Sequence, residues 1–374
     1  MLSKPRPLAL LLAVGVAACA SEAARQPAAA APTGDVSTVA VAADSLCRDS
    51  ADGAVAADAA PGAPGDTAKK RDYGAFLLPA RNRHDRESYA AAIRKGESKL
   101  AAWPKGPAPL AGALLPGRRI VAYYGNPHSK KMGVIGEYPE QQMLGMLDRT
   151  VAQWKAADPA TPIVPAIHLV SVVAQGAPGA DGKWRRRESG EMIEKTYGWA
   201  KSRNGVLFLD IQASHSTLQK ELPLLLPYLE RPDVHLGVDP EFYMHYKREG
   251  VRPSAKVGQM MASDINYAIN ALDRLVTEKK LPPKVFVVHR FREDMVPDAE
   301  SIRPTKNVQV VMHMDGWGPP WLKFDSYHHY IVNHPVQFTG FKLFYHNDTK
   351  AGHALLTPKE LVQLRPSLAY IQYQ

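Results

Sequence analysis

The stretch Val234-His235-Leu236-Gly237-Val238-Asp239-Pro240-Glu241-Phe242-Tyr243 decides how this chain is read. Apolar residues run to Val238 and then give way to acids, which predicts a short strand over Val234–Asp239. Side chains alternate along a strand, so Asp239 and Glu241 are expected on the same side. Pro240 has no N–H to donate, so regular pairing must stop about there. A strand ending in two acids on one face is what the catalytic rim of a β/α barrel presents, provided the rest of the chain builds the barrel. The plainer alternative is that Asp239 caps the next helix and Glu241 is solvated.

Outward from this stretch, apolar runs and helical patterns alternate. Strands are predicted at Ile120–Tyr124, Ile163–Leu169, Val206–Asp210, Val285–His289, Val308–Met314, Phe341–Tyr345 and Leu368–Gln372. Several are continuous apolar runs, as expected for strands covered on both faces. Helices are predicted at Gln141–Ala156, Glu191–Arg203, Leu218–Glu230, Asp264–Lys280 and Pro358–Leu364. Pro159, Pro232 and Pro282 follow three of them as stop signals. Pro223 and Pro227 weaken the helical pattern of Leu218–Glu230. Eight strands separated by helical patterns across residues 118–374 predict an α/β fold, a (β/α)8 TIM-like barrel. A doubly wound open sheet is the alternative, but no glycine-rich phosphate turn follows an early strand.

Active sites of such barrels sit at the C-terminal strand ends. Here those ends carry Tyr124, His168, Asp210 with Gln212, Asp239 with Glu241, His289, His313 with Asp315, Tyr345 with His346, and Gln372. The opposite ends show no such concentration, so a polar pocket on one rim is expected. Aromatic residues, among them Phe242, Trp317 and Tyr345, flank the same ends, and flat apolar faces beside carboxylates suit sugar rings. Glycines and prolines in Asp315-Gly316-Trp317-Gly318-Pro319-Pro320-Trp321 favour an ordered turn holding two indoles near Asp315. The candidate catalytic residues are therefore Glu241, Asp239, Asp210 and Asp315. Candidate substrate-binding residues are Tyr124, His168, Gln212, His289, His313, Trp317, Tyr345 and Gln372. Glu241 is expected to be the general acid/base, its pKa raised by Asp239, with Asp210 or Asp315 as the second carboxylate.

The strand ending Gly237-Val238-Asp239-Pro240-Glu241 resembles the fourth-strand signature of family 18 glycoside hydrolases, and a D-x-E strand end also resembles family 25 lysozymes. The resemblance implies that Glu241 donates the proton and that Asp239 positions the reacting N-acetyl group or tunes Glu241. Two further aspartates of family 18 are replaced by Gly237 and Val234, which keeps open a non-catalytic glycan-binding protein. Metal-dependent hydrolysis is a third possibility, because several of the 13 histidines fall at strand ends. No H-E-x-x-H, G-x-S-x-G or P-loop occurs, so neither a metal nor a cofactor is expected.

The chain has 374 residues and a formal net charge of +9, spread without an aromatic-interleaved basic stripe, so nucleic acid is not an expected partner. Residues 1–18 read as a targeting segment: Lys4 and Arg6 precede an apolar run over Leu8–Val16 that is too short to span a bilayer. Val16-Ala17-Ala18-Cys19 resembles the lipobox of bacterial lipoproteins, which implies cleavage before Cys19 and lipidation of its thiol. The chain is then expected on the cell-envelope membrane; Ala20, not Asp, resembles the outer-membrane sorting pattern of diderm bacteria. Residues 19–70, rich in Ala, Pro and Gly, are expected to form a disordered tether reaching on the order of 40 Å. Cys47 lies within it and no disulfide framework is possible from two cysteines outside the core. Residues 71–117 are expected to form a helical extension, with a helix over Asp85–Trp103.

Overall fold

The structure, a computed structural model, describes residues 103–246 and 250–374. The expected signal segment, the tether, Cys19, Cys47 and most of the helical extension lie outside the described residues. Nine strands are present: β1 Arg119–Gly125, β2 Ile163–Ala174, β3 Arg185–Arg187, β4 Val206–Ile211, β5 Val234–Val238, β6 Lys284–Arg290, β7 Val308–Met314, β8 Phe338–Leu343 and β9 Leu368–Tyr373. All except β3 run parallel and neighbour one another in chain order, and β1 pairs with both β2 and β9. The ring therefore closes into the eight-stranded barrel, and the open sheet is excluded. β3 is an antiparallel addition to the far end of β2.

Period-two alternation divides each strand between two cores. Val121, Ile167, Leu209, Leu236, Val288 and Met312 face out and join the larger core. Ala122, Ala166, Phe208, Val287, Val311 and Tyr370 face in and fill the lower barrel. The outer layer is made by helices whose ends follow local chemistry. Ser189 accepts the Met192 N–H at 3.2 Å and starts the helix Gly190–Lys201. Thr357 and Glu360 form a capping box at the start of Pro358–Leu361. Glu140–Ala157 buries Leu144, Leu147, Val151 and Trp154, and Ala262–Lys279 ends on Lys280 in the left-handed region. Leu218–Leu229 is helical despite Pro223 and Pro227, because it buries Leu218, Leu222, Leu225 and Leu229.

The described end of the extension is not helical. Residues 103–117 form turns that close the N-terminal end of the barrel: Leu115 joins the inner core, Gln309 accepts the Leu114 N–H, and the Trp103 indole donates to the Val332 carbonyl at 3.0 Å. Two strand ends and one turn also shift. β8 occupies Phe338–Leu343, not Phe341–Tyr345, because the Asp348 carboxylate captures the Phe344 N–H at 3.0 Å and turns the chain there. β5 stops at Val238, and Asp239 caps a 3-10 turn over Pro240–Phe242 by accepting the Glu241 N–H at 3.1 Å. Simple alternation therefore does not carry Glu241, although it is buried, not solvated. Trp321 belongs to a helix over Pro320–Tyr327, so the expected turn ends before the second indole.

The basic run Lys183–Arg187 is absorbed by β3. Arg185 and Arg187 both bind the buried Glu221, at 2.9 and 2.7 Å, and Arg186 reaches Glu188 at 2.6 Å. Removing one partner of such a cluster strands the others, so Glu221→Gln is expected to cost about 3–5 kcal/mol. Urea unfolding checks this; a loss under about 1 kcal/mol would show that solvent, not Glu221, satisfies the two arginines.

Candidate functional site

With the bottom of the barrel closed, the polar strand ends gather at the C-terminal mouth. A cleft of ≈ 530 Å³, counting its open mouth, is lined by Asp239, Glu241, Asp315, Tyr124, Gln212 and Lys342. Phe242, Phe291, Trp317 and Phe344 supply apolar faces, and Met132, Asn347 and Gln374 complete the wall. Six of the expected site residues thus share one cleft: Tyr124, Gln212, Asp239, Glu241, Asp315 and Trp317.

Five others lie one inward step deeper and are fully buried: His168, Asp210, His289, His313 and Gln372. Parity explains the depth, since Asp210 stands two residues before Gln212, and His289 two before Phe291. These five do not line the cleft; Asp210 and His289 hold two residues that do, and His168 and Gln372 bond Tyr370 beneath it. The Tyr124 hydroxyl donates to Asp210 at 3.1 Å, and His289 Nδ1 meets Asp315 Oδ2 at 2.7 Å. His168 Nδ1 contacts the Tyr370 hydroxyl at 2.6 Å and the Gln372 amide at 3.1 Å. Tyr345 is not in the cleft. Its hydroxyl meets that of Tyr123 at 3.0 Å and its ring stacks on Tyr373 in the outer layer. The reason is the early end of β8, which leaves Tyr345 in a turn beyond the inward-facing positions.

Lys342 is the member that sequence reasoning missed. Its ammonium pairs with Asp315 Oδ1 at 2.8 Å and lies 4.0 Å from the centre of the Tyr124 ring. The signal was a lysine alternating with Thr339, Phe341 and Leu343, which places it on the inward face of a buried strand. Expecting the strand to start at Phe341 hid that parity.

The carboxyl groups are held in different states. Burial pushes Asp239 up to about 7, helped by the charges of Asp315 and Asp210 and opposed by His289 and Lys342. Gln212 donates to its Oδ2 at 3.3 Å. Burial also disfavours the charged form of Asp315, but Lys342 and then His289 outweigh it and hold this group well below the ordinary carboxylate range. Asp210 is likewise lowered, burial being outweighed by His289 and His168. Burial takes His168 down to about 4, whereas His289 is raised because Asp315 and Asp210 overcome its burial. The mouth therefore sets one carboxyl with a raised pKa beside one held as a carboxylate, the pairing that general acid–base catalysis uses. Neither the models of protein families nor the curated proteins contain a match to this chain.

Proposed function

We propose that this chain is a lipid-anchored envelope protein that hydrolyses glycosidic bonds in an envelope or extracellular glycan. The observation that carries the reading is one cleft in which Asp239, Glu241 and Asp315 stand against Phe242, Phe291, Trp317 and Phe344. Aromatic faces suit the C–H faces of sugar rings, and carboxylates suit their hydroxyls and the bond to be cut. Asp239 is assigned as proton donor because burial raises its pKa to about 7, in the range a general acid needs near neutral pH. It protonates the leaving oxygen as the glycosidic bond breaks. Asp315, anchored by Lys342 and His289, attacks the anomeric carbon through an oxocarbenium-like transition state, and water then cleaves the glycosyl ester, giving its proton to the Asp239 carboxylate and freeing Asp315. Glu241, on the same wall, hydrogen-bonds the sugar.

A proton donor works only while protonated. Hydrolysis is therefore expected to fall as pH rises through about 7 in wild type. Release of reducing ends from peptidoglycan and a panel of polysaccharides, followed against pH, tests the reading. Glu241→Gln is expected to reduce turnover by no more than about tenfold, since a sugar-binding hydrogen bond is weaker than the proton transfer it assists. A loss as deep as that of Asp239→Asn would return the donor role to Glu241. The anchoring half of the proposal rests on Val16-Ala17-Ala18-Cys19. Cys19→Ser is expected to move the protein from the detergent phase to the aqueous phase on detergent partitioning, and unchanged partitioning would remove the anchor.

A further inference from the structure

We propose that His168 Nε2, Asp210 Oδ1 and His289 Nε2 together bind one divalent transition-metal ion, of which zinc best fits the donor set, beneath the floor of the cleft. One ligand atom from each residue lies within 4.8 Å of the other two. The separations from Asp210 Oδ1 are 3.5 Å to His168 Nε2 and 3.9 Å to His289 Nε2. Ligand atoms around a tetrahedral zinc with bonds of about 2.1 Å stand about 3.4 Å apart, so the two separations from Asp210 need only a small contraction and the two imidazoles close in from within 4.8 Å of each other.

The second observation is that these three atoms have nothing else to do. Each is fully buried and has no hydrogen-bond partner among the described residues; the 3.5 Å approach is an ion-pair contact, not an aligned hydrogen bond. Buried polar atoms are rarely left so, and three converging on one point call for an occupant. The opposite atom of each ligand is engaged in the manner that orients metal ligands. His289 Nδ1 is held by the Asp315 carboxylate at 2.7 Å, Asp210 Oδ2 by the Tyr124 hydroxyl, and His168 Nδ1 by Tyr370 and Gln372. With Nδ1–H donated to the Tyr370 hydroxyl 2.6 Å away, His168 presents a lone pair at Nε2.

The third observation is the cradle at Gly237. A Cβ there would stand 2.5 Å from Asp210 Oδ1 and 2.6 Å from His168 Nε2. Only glycine lets those two atoms point to a common centre. One of the two positions that separate this strand from the family 18 signature is thus the one the histidine–aspartate cluster needs empty. Two imidazoles and one carboxylate match zinc and its first-row neighbours, with the fourth position left to water. This inference stands apart from glycan hydrolysis, because none of the three ligands lines the cleft.

The test uses the full chain and no glycan. Equilibrium dialysis against Zn2+ with elemental analysis is expected to leave about one ion per chain. Cu2+ substitution is expected to give an electron paramagnetic resonance spectrum split by two histidine nitrogens. Asp210→Asn and His289→Gln are each expected to weaken binding by 100-fold or more. Asp315→Asn, which keeps all three ligands and removes the charge that orients His289 and pairs with Lys342, is expected to weaken it by about 10–100-fold. It keeps the test decisive if the ligand variants fail to fold. Gly237→Ala is expected to abolish the zinc-dependent rise in melting temperature. Replacing the exposed His346 by Gln, or alkylating the cysteines, should leave binding unchanged. Absence of bound zinc in wild type, binding unaltered by Asp210→Asn and Asp315→Asn, or loss on cysteine alkylation would overturn the site.

Discussion

Replacing Asp239 by Asn is expected to lower kcat by about 10²–10⁴-fold, the range for losing a positioned general acid. The same change is expected to stabilise the fold at alkaline pH. The sign follows from linkage. Asp239 has a folded-state pKa of about 7, above the ordinary carboxylate value, so the folded state prefers the protonated form. The group is therefore harmless to stability at acid pH and destabilising once pH rises from about 4 through about 7. Asn cannot ionise and escapes that penalty, for a gain of up to about 4 kcal/mol at pH 8. Circular dichroism melts at pH 5 and pH 8, run beside the kinetics, check both halves. An inactive variant that is also less stable at pH 8 would mean that Asp239 is an ionised structural group and not the acid.

Lys342→Met is expected to be the most destabilising change in the mouth. Lys342 is buried and its ammonium pairs with Asp315 at 2.8 Å, so its removal strands a carboxylate in a low-dielectric layer that also holds Asp210 and Asp239. Breaking such a pair from one side costs about 3–5 kcal/mol. In wild type the lowered pKa of Asp315 contributes stability above the unfolded carboxylate pKa, and that contribution is lost as pH falls through the folded value. The penalty of Lys342→Met should accordingly shrink below about pH 4, where Asp315 can take a proton instead. Urea midpoints at pH 7 and pH 3.5 measure it; a penalty independent of pH would assign the effect to packing against Tyr124.

The barrel was legible because its signals are local. Continuous apolar runs mark strands buried on both faces, and prolines mark the ends of the helices between them. Six cleft residues were legible for the same reason, since counting strand ends locates a rim. Depth was not legible. Whether a residue two places before the rim lines the cleft or sits below it depends on parity and on where the strand stops, and β8 stops two residues earlier than its apolar pattern suggests. That displacement put Tyr345 in the site and left Lys342 out. A side-chain-to-backbone contact thirty residues from Gly318, such as the one Asp348 makes to it and to Phe344, leaves no periodic trace. The histidine–aspartate cluster escaped for a different reason. Its members come from β2, β4 and β6, so no spacing motif can join them, and the glycine that makes room for them carries no chemistry of its own.

Turnover at the mouth is decided by time-resolved release of new reducing ends from insoluble peptidoglycan and soluble polysaccharides by wild type at pH 6, with Asp239→Asn run beside it under the same folded-state control. Steady release from at least one glycan is expected of wild type, and release about 10²–10⁴-fold slower of the variant. Equal retention of a glycan by both proteins, with no release by either, would contradict it and make the cleft a binding site alone.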